Sequence, residues 1–334
     1  MAKKLSVIIP THNRIDKLED TIEGLRRQTI LSNDYEVVVV DDGSTSPVKL
    51  EHKYRNPECT VVRLEGMERS AARNAGAASA TGRILVFIDD DISVGSGFLL
   101  SHLRAHEEWP GVIAVGSVLL PDNFLVTPYG RFRQKLEQNG IPHQRGLQAT
   151  RNLCTAANMS ISRDIFQSLG GFDRDLKSGE DQDMALRHTA HGGRIAYIPE
   201  AEAFHNDNAV DFKSYCRRSE WGAMNMVAFV SRHPHWPDNV ERERVNGPLK
   251  WGREAFSVSA AKMAKVVLGC KPITAFLFFT VRWLERSAPN SSILYRLYCL
   301  LLGIHILRGY RAGCRHAAKG DPRKAIPNER LAVG

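Results

Sequence analysis

The chain has 334 residues, 43% hydrophobic and 25% charged, which is enough for a full core and excludes a low-complexity or disordered polymer. Its net charge of +8 is uneven: residues 210–334 hold 21 Lys/Arg against 9 Asp/Glu, a net of +12, and residues 1–209 carry −4. Six cysteines (59, 154, 216, 270, 299, 314) lack CxxC spacing, so they predict buried free thiols in a reducing compartment, neither a zinc site nor a disulfide framework.

In chain order, LSVIIP (5–10) is a short β-branched run that predicts a buried strand. The apolar spacing of Ile15, Leu18, Ile22 and Leu25 predicts a helix over 16–28. Residues 35–40 predict a second strand running into Asp41-Asp42-Gly43-Ser44, and 60–64 a third. The Ala-rich segment 70–80 predicts a helix, and 83–88 a fourth strand that ends at Asp89-Asp90-Asp91. Strand and helix alternate, which implies βαβ units and a mainly parallel sheet flanked by helices.

A helix is expected over 98–109 and a strand over 112–120; the Pro- and Gly-containing stretch 121–150 reads as a loop. A strand over 156–162, a short helix over 164–169, a helix over 182–191 and a last strand over 194–199 follow. Beyond about residue 210 the pattern is helical only. The organisation expected is a catalytic domain over 1–209, in two halves meeting at about residue 110, and a basic, apolar helical tail over 210–334.

That tail contains two apolar stretches, 272–281 and 293–307, flanked by Arg, Lys, Trp and Tyr. Both are shorter than the ~20 apolar residues of a membrane-spanning helix. They predict helices lying on an anionic membrane surface, with packing or dimerisation as the alternative and nucleic acid not expected as a partner. The N-terminal MAKKLSVIIP runs straight into a strand, without the apolar segment and cleavage site of a secretory signal. A cytoplasmic enzyme, peripheral at the cytosolic membrane face, is the expectation.

Carboxylates at the C-terminal ends of parallel strands point into the crevice where open α/β sheets bind ligands. Asp89 and Asp91 are hard oxygen donors suited to Mg²⁺ or Mn²⁺. Asp42 ends the second strand, where a base or ribose is held in nucleotide-binding folds, although DDGS is also a turn composition. Arg73 offers a planar donor fork to phosphate. Glu180-Asp181 opens a predicted helix, either as a favourable helix start or as a general base. His205 is either a metal ligand or an ordinary histidine. GxGxxG and GxxxxGK[ST] patterns are absent from the sequence, so neither a dinucleotide fingerprint nor a P-loop is supported.

Five segments, taken together, resemble the family 2 glycosyltransferases: SVIIPTHNR (6–14), VVVVDDGST (37–45), the stretch SAARNAGAASATGRILVFIDDD (70–91), NMSISRDIFQSLGGFDRDLKSGEDQDMALR (158–187) and GGRIAYIPEAEAFH (192–205). The resemblance implies a GT-A fold and inverting transfer from a nucleotide-diphosphate sugar, most often a UDP-sugar, to a hydroxyl of a carbohydrate or lipid-linked acceptor. It implies that Pro10, His12 and Asp42 line the nucleoside pocket, with Arg73 and Asp90 also on the nucleotide sugar. It makes Asp89, Asp91 and His205 the metal set for Mn²⁺ or Mg²⁺, Asp181 the catalytic base and Glu180 its support. The QxxRW motif of processive members is missing, which implies single addition. Two other readings remain open at this point, a sugar-phosphate nucleotidyltransferase and a non-catalytic membrane-associated protein; oligomerisation is also open.

Overall fold

The computed structural model describes residues 3–50, 57–139, 141, 144–148, 154–206, 210–250 and 252–318. They form two compact units. The first runs up to Leu125, through Gln134–Arg174, and from Glu180 through the last strand; the second takes Val126–Arg133, Asp175–Gly179 and the chain from 210 onward. Two short segments inside the expected catalytic half are therefore grouped with the C-terminal helices.

In the first unit, β1 (Leu5–Thr11), α1 (Ile15–Arg26), β2 (Tyr35–Asp42), β3 (Glu58–Leu64), α2 (Arg69–Ser79) and β4 (Ile84–Ile88) follow the predicted alternation. β5 (Ile92–Val94), α3 (Phe98–Glu108) and β6 (Val112–Leu119) come next. The stretch expected as a loop instead contains α4 (Asp122–Leu125), α5 (Pro128–Glu137, its part up to Arg133 belonging to the second unit) and β7 (Gly146–Gln148); its residues 140, 142, 143, 149 and 150 lie outside those described. Pro128 supplies a favourable first helical residue there, and Phe124, Tyr129 and Phe132 are buried, so local packing outweighs the turn-like composition. β8 (Asn158–Ser162), α6 (Arg163–Ser168), α7 (Glu180–Ala190) and β9 (Arg194–His205) complete the unit.

These strands form one nine-stranded sheet in the order β3-β2-β1-β4-β8-β6-β9-β5, with β7 on β9. It is mixed rather than mainly parallel. β3, β2, β1 and β4 are parallel, whereas β8 is antiparallel to both β4 and β6, and β5 and β7 are antiparallel to β9. The alternating pattern reports βαβ units only as far as β4; the later strand directions are not encoded in sequence periodicity.

Both faces of the central strands are covered, as a β-branched run without alternation requires. Val7, Ile9, Val37, Val39 and Val86 pack under α1 and α3, and Ile8, Val38, Val40, Leu85 and Phe87 pack under α2, α6 and α7. At about 25 cal/mol per Å² of apolar surface, each fully buried side chain of this kind contributes roughly 1.5–3 kcal/mol. That rigid base sets the positions of the loops after β1, β2 and β4.

The second unit is helical: α8 (Phe212–Arg232), α9 (Pro237–Asn246), α10 (Phe256–Leu268), α11 (Lys271–Ser287) and α12 (Ser292–Ala318). α12 lies against α8 so closely that a Cβ on Gly309 would sit 1.9 Å from the Glu220 carbonyl, and one on Gly313 2.4 Å from that of Met224. An aromatic cluster fills the rest, with Phe212 and Tyr298 at 4.5 Å and Phe132 and Tyr298 at 4.8 Å. The second apolar stretch, 293–307, thus serves packing: Leu294, Tyr298, Leu301, Ile304 and Leu307 are buried. By length and composition α12 would be long enough to cross a membrane, but much of its apolar surface is buried inside the fold.

Candidate functional site

The loop after β4 is the centre of the site, and strand register explains what meets there. β5 follows immediately and runs antiparallel to the end of β9, pairing Ile92 with His205. The Asn206 N–H donates to the Asp91 carbonyl at 2.8 Å. That ladder sets His205 beside Asp91, with Nε2 3.2 Å from Oδ1. Ligand atoms of Asp89, Asp91 and His205 all lie within 4.8 Å of one another. Two carboxylate oxygens and one imidazole nitrogen, gathered at the mouth of a sheet, fit a hard divalent cation of the Mg²⁺ or Mn²⁺ type.

β8 begins where β4 ends, with Ile88 opposite Asn158. Just before β8, the Ala156 N–H donates to Asp181 Oδ2 at 3.3 Å, which brings the start of α7 to the same edge of the sheet. The other Asp181 oxygen accepts from the Gln182 N–H at 2.8 Å. Arg73 joins the two acidic groups. Its Nη2 donates to Asp89 at 2.9 Å and its Nη1 to Glu180 at 2.8 Å, while the side chain is 3% exposed. Carboxylates 89 and 180, 91 residues apart in sequence, share one buried guanidinium.

Electrostatics divide the carboxylates into two kinds. Burial alone would raise Asp89, but the Arg73 guanidinium beside it holds it below the ordinary carboxylate range. Burial also opposes ionisation of Asp91, yet its contact with His205 and the nearby charges of Arg14 and Lys17 hold it well below that range. Asp181 goes the other way. Burial, then the Glu180 charge next to it, push its carboxyl up, against the opposing pull of Arg73. Asp89 and Asp91 held low and Asp181 held high are the separation expected of ion ligands and an acid/base group, and burial raises Asp90 as well.

Asp90 occupies a different environment from its neighbours. It is buried, accepting from Thr11 Oγ1 at 2.7 Å and Arg14 Nη1 at 2.8 Å, and its carbonyl accepts from Thr21 Oγ1 at 2.9 Å. Arg14 also reaches Asp91 Oδ2 at 3.2 Å. Thr11, Arg14 and Thr21 were not among the predicted site residues. The one sequence signal of Thr11 and Arg14 is position, at or shortly after the C-terminal end of β1 in the PTHNR segment, whereas Thr21 lies within α1.

Pro10 sits near the end of β1, opposite Val40 and beyond the last residue paired with β4, so its missing N–H breaks no ladder on that side. His12 Nδ1 lies 2.9 Å from the Asp42 carbonyl, and its Nε2 is 2.8 Å from Asn13 Nδ2. Asp42 accepts from the N–H groups of Met67 at 2.6 Å and Glu68 at 3.1 Å, ordering the segment that enters α2. Asp41 points elsewhere: buried, it accepts from the Ser44 and Val48 N–H groups and pairs with Arg63. Gly43 permits the turn after this pair, with φ of 76° and no room for a Cβ, which would lie 2.7 Å from the Gly66 nitrogen.

Residues 6–170 match the model of the family described as Glycosyl transferase family 2. The pre-mycofactocin glycosyltransferase of Mycobacterium tuberculosis is 27% identical over 243 residues, covering 70% of this chain and 48% of that protein. An uncharacterized glycosyltransferase of Haemophilus influenzae is 30% identical over 193 residues, covering 55% of this chain and 61% of that protein. The chain thus spans about half to three fifths of the length of these curated relatives. Among solved structures, the mannosyltransferase PcManGT from Pyrobaculum calidifontis, in complex with GDP-Man and Mn²⁺, superposes with a TM-score of 0.59. It is 19% identical, over 92% of this chain and 87% of that one, a likeness of fold. The fold is GT-A-like. Residues 6–170 form a domain of the family 2 glycosyltransferases, a family of enzymes.

Proposed function

We propose that this chain is an inverting, divalent-metal-dependent glycosyltransferase that moves one sugar from a nucleotide-diphosphate sugar to a hydroxyl acceptor, lipid-linked or part of a cell-envelope polysaccharide. The observation that carries the reading is the Arg73 tie, which holds Asp89 and Glu180 to one guanidinium and so keeps the Asp89–Asp91–His205 group next to Asp181.

In this reading Asp89, Asp91 and His205 hold the cation, which when bound offsets the charge that develops on the departing diphosphate. Asp181 accepts the proton of the acceptor hydroxyl as its oxygen attacks the anomeric carbon from the face opposite the diphosphate. The proton ends on Asp181 and the bonding pair of the leaving group on the nucleoside diphosphate. The raised proton affinity of Asp181 suits it to that task, and Glu180 sustains it by like charge. Arg73 positions both carboxylates. Asp90, held by Thr11 and Arg14, fixes the backbone between the two ligands. Pro10, His12 and Asp42 edge the pocket for the nucleoside, with the Asp42 carboxylate or the turn it orders meeting the base.

The test is incubation with a panel of UDP-, GDP- and dTDP-sugars, with Mn²⁺ or with EDTA, reading the nucleotide released. Nucleoside diphosphate in the Mn²⁺ arm only, lost in Asp91→Ala, supports the proposal. Pyrophosphate from a nucleoside triphosphate and a sugar phosphate would replace it with nucleotidyl transfer. Undiminished turnover in EDTA would remove the metal.

A further inference from the structure

α10 is built inside out. In a water-facing helix the apolar stripe turns inward and the polar face outward. Here Ser259 and Lys262 are buried, whereas Met263, Val266 and Val267 are exposed, with Val267 at 59%. The inward polar face is fully satisfied. Lys262 Nζ donates to Glu254 Oε2 at 2.6 Å and to the Pro248 carbonyl at 3.2 Å, and Ser259 Oγ donates to Glu254 Oε1 at 2.8 Å. The orientation is therefore specified by hydrogen bonds and an ion pair, and the outward apolar side is a consequence of how the helix is held.

α11 departs from the rule in a second way. Val281 and Leu284 form its buried side, yet Phe276, Phe279 and Trp283, at spacings of three and four, are 66%, 68% and 60% exposed. A helix apolar on two sides satisfies one against protein and leaves the other to a different apolar phase. Lys271, Arg282 and Arg286 lie on the same helix. From 256 to 318 the chain carries nine Lys/Arg and a single acidic residue, Glu285, whose carboxylate accepts from the Tyr298 hydroxyl at 2.6 Å. Lys262 pairs with Glu254 and Arg308 with Glu220, acidic groups outside this stretch. Large aromatics beside the remaining excess of cations are the composition of a surface that enters the headgroup boundary of an anionic bilayer.

We infer that the outward sides of α10 and α11 dock the enzyme on anionic phospholipid, with Phe276, Phe279 and Trp283 entering the headgroup–acyl boundary and Lys271, Arg282 and Arg286 meeting lipid phosphates. α12 does not take part as a spanning helix, since Leu294, Tyr298, Leu301, Ile304, Leu307 and Tyr310 are buried in the fold. The break between α10 and α11 bends the pair by 87°, a geometry that two helices lying on a surface accommodate without crossing it. This inference is independent of the sugar-transfer reading, because docking is read without any donor.

The experiment is flotation of the full chain with vesicles of phosphatidylglycerol and phosphatidylcholine in equal parts, against phosphatidylcholine alone. The chain should float with the anionic vesicles only, and Trp283 fluorescence should shift to the blue. The double variant Phe276→Glu, Phe279→Glu should lose flotation by about tenfold or more, with unchanged helical circular dichroism and unchanged nucleotide-sugar turnover. Extraction of the bound protein by alkaline carbonate supports surface docking; retention would overturn it in favour of a span. Equal flotation of the variant would overturn the docking face. Failure to float, with a dimer in solution that the variant splits, would assign the face to a second copy of this chain.

Discussion

The two units break the ordinary rule of burial in opposite directions. The sheet unit takes charge inside: Arg73, Asp90, Asp91 and Glu180 are each less than about a tenth exposed, in a medium where an unpaired charge is costly. The helical unit puts apolar groups outside, with Phe256, Phe276, Phe279 and Trp283 all exposed beyond half. The buried charges are held by reciprocal ion pairs, and the outward turn of α10 by the buried Lys262–Glu254 pair on its inner side. The difference teaches where to look for function: buried charge marks chemistry, and exposed apolar surface marks a missing contact.

The largest way to break the comparison is chemical. Asp181→Asn keeps one of the two backbone hydrogen bonds, because its amide has a single acceptor oxygen, and removes the base, so turnover should fall by about 10²–10⁴-fold with the fold retained. Single-turnover rates and circular dichroism check both parts. Next is Arg73→Ala, which leaves Asp89 and Glu180 facing each other without their shared cation. It should cost about 3 kcal/mol in urea unfolding as well as most of the turnover. If stability were unchanged, the tie would be a surface pair of no structural weight.

A smaller effect follows from pH. Asp181 has a folded-state proton affinity above its unfolded value, so its contribution to stability is complete below the ordinary carboxylate pKa. That contribution is lost as pH rises through the raised folded value. Wild type should therefore lose stability relative to Asp181→Asn between mildly acidic and neutral pH, and transfer should rise over the same interval as the base ionises. Thermal unfolding and rate profiles of the two proteins test the sign.

In the helical unit, Gly309→Ala should destabilise by roughly 1–3 kcal/mol, because its Cβ would collide with the Glu220 carbonyl and force α12 from α8. Phe276→Ser, which removes only an exposed ring, should leave stability within about 0.5 kcal/mol. Thermal melts of both would show whether the inner and outer sides of these helices differ as described.

The strand–helix order as far as β4 was legible because each strand is a short β-branched run ended by Asp, Gly or Pro. The acidic groups were legible for the same reason, since strand ends at the crevice are readable from sequence. What was not legible was direction and partnership. Nothing in residues 156–162 says that β8 runs against β4, yet that reversal brings Asp181 to the DDD loop. Arg73 could be named as a phosphate binder from its type, but its bond to Glu180 spans 107 positions and exists only after folding. Likewise Arg14 and Thr11 carry no motif; they hold Asp90 through geometry alone. The two apolar stretches of the tail looked equivalent, and packing separated them, with 293–307 turned inward and much of α11 left outside.

The most direct test of the central claim is Mn²⁺ binding, followed by electron paramagnetic resonance in the presence of a nucleoside diphosphate. Asp91→Ala should lose the bound signal, and Asp181→Asn should keep it while its sugar transfer is abolished. Loss of Mn²⁺ in Asp181→Asn, or its retention in Asp91→Ala, would contradict a division of labour between an ion-holding group and a separate proton acceptor.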